Sequence, residues 1–288
     1  MNQKHLHYNQ FVYVVSNKGR DKMELVKYDL KGNEEVIFSN PYVDIAGAQY
    51  SSAKDQLLYA IYITDKVHYE FFDSEFENLF NKMKDKLGVD ESEFGINDYN
   101  KEMTKFIVSV SSDTVYGKYY YYDSETDTMT LLAELGSWID SNNLAEMHSI
   151  SYEARDGLTI HGYLTLPKNK IAKNLPLVVI PHGGPWARDM WVFNNEVQLL
   201  ANQGYAVLQM NFRSSTGYGK EFLEAGNKQW GLKIQDDITD GVQWAIDLGI
   251  ADPEKIGIYG ASFGGYATLA GITFTPDLYA AAVDYVGV

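Results

Sequence analysis

The stretch KIGIYGASFGGYATLAGI, residues 255–272, decides the fold. Lys255–Tyr259 reads as a β-strand and Gly265–Ile272 as a helix, so Gly260-Ala261-Ser262-Phe263-Gly264 stands at a strand–turn–helix corner. A G-x-S-x-G pattern alone is common by chance; its place between a strand and a helix gives it weight. Small residues at 260, 261, 264 and 265 leave room for the helix to pack back on the strand across a tight turn. Ser262 is therefore expected to be a nucleophile, its hydroxyl outward and the positive end of the following helix near any developing oxyanion.

Working outward, the chain alternates strands and helices from about residue 150. Leu158–Leu166 reads as a strand and Leu175–Ile180 as a buried strand. Trp191–Ala201 reads as a helix, Tyr205–Met210 as a buried strand, Ile234–Leu248 as an amphipathic helix and Ala280–Val288 as a last strand. This grammar predicts an α/β domain, a parallel sheet covered on both faces, over residues 150–288, with a boundary near 146–152. With the serine corner it predicts an α/β-hydrolase domain.

His182-Gly183-Gly184-Pro185 follows the buried strand 175–180, where such domains carry an oxyanion loop. The expected donors are the main-chain amides of Gly184 and Phe263. His182 precedes the serine, whereas the chain order in this fold is serine, acid, histidine, so it is expected to order the loop rather than act as base. Gly183, Pro185, Trp186, Tyr218 and Tyr266 stand beside it as candidates for lining the site. Arg213, after strand 205–210, lies at the carboxyl edge of the sheet, where ligands bind; a substrate contact and a structural ion pair are both open, the pair favoured. Asp236, Asp237 and Asp240 have no accompanying histidine in sequence and read as an ion-paired or solvated helix face rather than a metal site.

Residues 1–149 follow a different pattern. Tyr8–Ser16, Met23–Asp29, Glu35–Phe38, Asp55–Thr64, Phe106–Ser111, Lys118–Tyr122 and Thr128–Leu132 read as turn-separated antiparallel strands. One helix interrupts them, with capping-box spacing at Ser74-Glu75-Phe76-Glu77, an apolar stripe of Phe76, Leu79, Phe80, Met83 and Leu87, and Gly88 as its C-cap. Of the four tyrosines 119–122, alternation sends two inward and two to the surface.

A hydrophobic content of 45% is that of a folded globular chain, and the net charge of −15 argues against nucleic-acid or anionic-membrane partners. Most of that charge, −11, falls in residues 1–150. No cysteine is present, which removes disulfides, thiolate zinc sites and cysteine nucleophiles. No apolar run is long enough for a membrane helix, and the first residues show no secretory pattern, which weakly favours the cytoplasm.

Taken together, residues 182–185, 211–219, Gln229-Trp230-Gly231 and 260–266 resemble the prolyl oligopeptidase family of serine peptidases, nearest its acylaminoacyl-peptidase and dipeptidyl-aminopeptidase branch. Residues 152–167 resemble the start of that family's catalytic domain, and residues 1–149 resemble the last blades of the β-propeller that precedes it. The resemblance implies hydrolysis of short peptides through an acyl-enzyme on Ser262, with no cofactor and no metal. A carboxylesterase and a non-catalytic propeller-based interaction protein are the alternatives; oligomeric state is not legible. The chain departs from the family in one respect. The 26 residues after Ser262 include Asp277 and Asp284 but no histidine. The chain is accordingly expected to be an internal piece, cut within the propeller and before the last hydrolase strands, and inactive alone.

Overall fold

The computed structural model describes residues 11–29 and 31–288, and these form two compact units. The first contains the described residues up to Ser112 with Gly117–Gly136 and Gly217–Lys220; the second contains Asp113–Tyr116, Ser137–Thr216 and Glu221–Val288. Residues 8–10 of the first expected strand, and His5 and His7, lie outside the described residues.

Three antiparallel meanders make up the first unit. β1 (Phe11–Ser16), β2 (Glu24–Asp29) and β3 (Glu34–Phe38) form one, and β4 (Ile45–Ser51), β5 (Gln56–Ile63) and β6 (Val67–Phe71) a second. β7 (Phe94–Tyr99), β8 (Lys105–Val110), β9 (Lys118–Asp123) and β10 (Thr128–Glu134) form the third, a four-stranded sheet in sequential order. Consecutive strands joined by short turns are the build of propeller blades. β4, β6 and β7 are not foreseen from sequence. IAGAQYS and FGINDY are rich in small and turn-forming residues with poor strand preference, and VHYEF is short. They are strands because β5 and β8, whose Leu58, Ala60, Phe106 and Val108 are buried, need hydrogen-bonded neighbours on their flanks.

Helix α1 (Ser74–Leu87) begins one residue earlier than its capping-box spacing suggests. Its cap is Asp73, whose carboxylate accepts from the amides of Glu75 at 2.9 Å and Phe76 at 3.1 Å. Gly88 ends it in the left-handed region at φ 65°. Phe76, Phe80 and Met83 bury the apolar stripe against Leu58, Tyr59, Phe94, Phe106 and Tyr122. Among the four tyrosines, Tyr122 is fully buried and Tyr120 packs against the same cluster; Tyr119 and Tyr121 alternate to the other face, half-buried.

The second unit is a mixed six-stranded sheet. Its elements are β11 (Met147–Glu153), β12 (Thr159–Thr165), β13 (Leu175–Val179), α2 (Asn195–Asn202), β14 (Ala206–Asn211), the short α3 (Lys220–Glu224), α4 (Lys233–Asp247), β15 (Ala251–Ala261), α5 (Phe263–Phe274) and β16 (Ala281–Tyr285). The strand order is β11-β12-β14-β13-β15-β16. The sheet is not all-parallel as expected from the alternation. β11 and β12 form a hairpin across the turn Ala154–Leu158, and β12 runs antiparallel to β14; only β14, β13, β15 and β16 are parallel. Because β11 pairs with β12 along its whole length, residues 147–149 belong to the sheet rather than to the preceding meanders. A hairpin closes locally, without a helical crossover, so the strand–helix alternation does not report it. α2 starts at Asn195 rather than Trp191 because the Asn194 side chain caps the amides of Glu196 and Val197. The core is built from Leu177, Val179, Leu208, Met210, Ile256 and Ile258 of the parallel strands with Ile234, Ile238 and Val242 of α4 and Phe263 and Ala267 of α5. All six residues of β14 are buried, as a central strand covered on both faces requires.

Candidate active site

β15 runs into Ser262 and α5 leaves it. The serine adopts φ 55° and ψ −120°, a region that costs an ordinary residue on the order of 1–3 kcal/mol. Two main-chain bonds hold it there: its amide donates to the Tyr285 carbonyl at 3.1 Å, and its own carbonyl accepts from the Tyr266 amide at 3.0 Å. The residue is exposed, and among the described residues no hydrogen bond engages its hydroxyl. Glycine is obligatory on both sides of the corner. A Cβ at Gly260 would stand 2.3 Å from the Gly264 carbonyl oxygen, and one at Gly264 would stand 2.1 Å from that of Pro181. The main chain of the 181–184 loop thus lies directly against the elbow.

Gly183 of that loop packs on the serine. A Cβ on Gly183 would lie 3.6 Å from Ser262 Cβ, which is ordinary contact distance. Gly184 is exposed with φ 120°, and no hydrogen bond is made by its amide among the described residues. Phe263 supplies the first amide of α5, a position without an intrahelical acceptor.

Both ring nitrogens of His182 are engaged by groups other than the serine. Nδ1 lies 2.7 Å from the Gly183 carbonyl and must carry the proton, because a carbonyl only accepts. Nε2 lies 2.8 Å from Ser215 Oγ, whose hydroxyl also contacts the Phe212 carbonyl at 2.7 Å. The ring stacks on Phe212 at 4.2 Å. Burial lowers its pKa to about 4, with the Arg188 charge adding to the effect and the Gly183 bond opposing it. The unfolded histidine titrates near 6.5, so between these values the unfolded state takes up the extra proton. Stability from this group is full above about pH 6.5 and falls as pH drops toward 4, by ~3 kcal/mol in all. Relative to the wild type, His182→Gln is therefore expected to gain about 2 kcal/mol of urea-unfolding stability between pH 7.5 and pH 5.

Behind the elbow lies a set of rings. Phe263 contacts Phe212 at 5.5 Å, Trp230 at 4.7 Å and Tyr266 at 5.7 Å. Pro185 is buried, whereas Trp186 is 63% exposed beside the loop. Arg213, a lining candidate for which the structural ion pair is the favoured reading, is 3% exposed. Its guanidinium is occupied by Asp237 (2.6 and 2.8 Å) and Asp156 (2.9 Å twice), so it braces the 212–216 segment instead of facing a ligand. Tyr218 is buried and groups with the first unit, where Lys22 Nζ bonds its carbonyl. Asp236 and Asp240 pair with Arg155, and among the described residues no group of three or more His, Asp or Glu side chains is disposed to hold a metal. Sequence reasoning assigned no role to Phe212 and Ser215. Their spacing becomes a signal only once His182 is known to lie across the turn after β14.

Residues 191–288 match the model of the prolyl oligopeptidase family. Along the whole chain there is 35% identity to dipeptidyl aminopeptidase BIII of Pseudoxanthomonas mexicana, over 96% of this chain and 41% of that protein. Dipeptidyl peptidase family member 6 of Caenorhabditis elegans is 30% identical over 97% of this chain and 40% of its own length. The chain therefore spans about two-fifths of the length of these relatives. Among solved structures, a puromycin-hydrolysing peptidase of Mycobacterium tuberculosis superposes with a TM-score of 0.78 at 22% identity, over 99% of this chain and 44% of that one. The acylaminoacyl peptidase of Pyrococcus horikoshii gives 0.70 at 22%, over 97% and 43%. At that level of identity the superpositions speak to fold, an α/β-hydrolase domain preceded by propeller blades. The likeness carried by residues 182–185, 211–219 and 260–266 extends along nearly the full chain, which belongs to the prolyl oligopeptidase family.

Proposed function

We propose that the protein is a serine peptidase of short peptides, with Ser262 as nucleophile and the amides of Gly184 and Phe263 as oxyanion donors. Ser262 Oγ attacks the scissile carbonyl and gives its proton to a base; the amine leaves with a proton, and water releases the acyl group from Oγ. The observation that carries this reading is the exposed serine held at φ 55° with the Gly183 backbone packed against it. Hydrogen-bond donors fixed before reaction cost nothing to reorganise as charge develops, and one such donor is worth about 10²–10³ in kcat. The names of the relatives, a dipeptidyl aminopeptidase and a dipeptidyl peptidase, favour substrates read from their amino end. Base and acid would come from the part of the relatives' length that this chain does not span. In a version extended to the length of the relatives, Ser262→Ala is expected to abolish both fluorophosphonate labelling and peptide-anilide turnover. Labelling that persists in the variant would transfer the nucleophile to another residue.

A further inference from the structure

Asp189 lies on the segment that continues the 182–185 loop. Its main chain is fastened to the end of β14: the Asp189 amide donates to Asn211 Oδ1 at 2.7 Å, and Asn211 Nδ2 donates to the Asp189 carbonyl at 3.1 Å. Two residues earlier, the Ala187 carbonyl accepts from the Thr216 amide at 2.9 Å. The Asp189 side chain makes a different kind of contact. Oδ1 accepts from Gln209 Nε2 at 2.9 Å, while Oδ2 and Gln209 Oε1 are both buried without a partner. Two buried acceptors in one side-chain pair, with no donor for either, are unfavourable, because each has lost its water without gaining a hydrogen bond.

We propose that Asp189 is a positioning residue that works as a neutral carboxylic acid, its Oδ2–H donating to Gln209 Oε1 and latching the oxyanion loop to β14. One proton satisfies both orphaned oxygens, closing with the existing N–H···O bond the two-bond ring of an acid–amide pair. Among the described residues no hydrogen bond reaches Asp189 Oδ2. Arg188, next in the chain, directs Nε to the Asp189 carbonyl at 3.3 Å. The other titratable groups facing this pair are on β12, where Tyr163 is the register partner of Gln209 and His161 that of Asn211. Burial raises the Asp189 pKa to about 7, against the opposing effects of the Gln209 bond and the Arg188 charge, which agrees with the geometry.

Folded Asp189 thus holds its proton where the unfolded aspartate, near pH 3.9, has lost it. The latch is complete below about pH 7 and opens as pH rises through that value. The latch stands on its own; its bearing on catalysis rests on the reading of Gly184 as an oxyanion donor.

The 288-residue chain suffices for the test. Isotope-edited infrared spectra of the wild type should show a protonated-carboxyl C=O band at pH 5.5 that is lost on titration through about 7 and missing in Asp189→Asn. The asparagine supplies an N–H where the acid supplies O–H. Amides 187–191, corrected for intrinsic exchange, should therefore keep their hydrogen-exchange protection at pH 8.5 in Asp189→Asn while the wild type loses it by tenfold or more. A wild-type spectrum without the band at pH 5.5 overturns the proposal. So does loss of protection in Asp189→Asn at every pH, the result expected of a carboxylate that holds a cation. Both readouts are independent of Ser262 chemistry, so failure of the peptidase reading would leave them unchanged.

Discussion

The 288-residue chain alone is expected to turn over peptide anilides on the order of a million-fold more slowly than a version extended to the length of its relatives, the cost of removing the base from a serine triad. An oxyanion site and an aligned serine without a base retain only about 10³–10⁴ over water. His182 is the histidine beside the elbow, and it cannot substitute. Its Nδ1 proton is held by the Gly183 carbonyl, its Nε2 faces Ser215, and burial keeps it neutral down to about pH 4. Among the described histidines, His68 bonds Thr64 in the first unit, and none bonds Ser262. Fluorophosphonate labelling read by intact-mass spectrometry measures the effect directly. Rapid stoichiometric modification of Ser262 in the short chain would mean that a base is present among these residues, and loss of that labelling in His182→Gln would identify it.

The second large effect is on stability. Arg213→Ala removes the partner of Asp237, a carboxylate with no exposure that accepts from the Arg213 amide, Nε and a terminal nitrogen. Breaking a buried pair from one side leaves the other charge uncompensated, at a cost of about 3–5 kcal/mol. For a unit of this size, that is a fall in Tm on the order of 10 °C by differential scanning calorimetry. Asp156, which the same guanidinium and then Lys233 hold well below the usual carboxylate range, loses its main partner as well. The double variant Arg213→Met/Asp237→Leu tests the cause. Replacing both partners by apolar groups is often neutral or stabilising, so most of the lost Tm should return. If the double variant unfolds as early as Arg213→Ala, the loss lies in the backbone of the 212–216 segment rather than in an orphaned charge.

Legibility differed between the halves of the chain for a physical reason. In residues 150–288 β14 is buried along its whole length and β13 and the second half of β15 carry regularly spaced buried apolar residues, so these show in sequence as strands and α4 and α5 as helices. In the meanders, strands such as β4 and β7 owe their state to the neighbours they pair with, and IAGAQYS carries no pattern of its own. The cap of α1 shows the same dependence at short range. Asp73 and Ser74 are both good capping residues, and the choice went to the one whose carboxylate also receives Lys54.

What the amino-acid order determined by itself is what depends on local sterics. A serine between glycines at the junction of a buried strand and a helix has one conformation that lets the helix pack back, and that conformation exposes its hydroxyl. What only the tertiary structure decided is everything that needs partners distant in the chain. It placed Gly183 against Ser262, turned His182 toward Ser215, gave Arg213 to Asp156 and Asp237, ran β11 and β12 antiparallel, and set Asp189 on Gln209. Those choices follow from burial. Once a charge or a polar atom is shut away from water, the nearest complementary group settles its role, and nearness in space is not written in residue spacing.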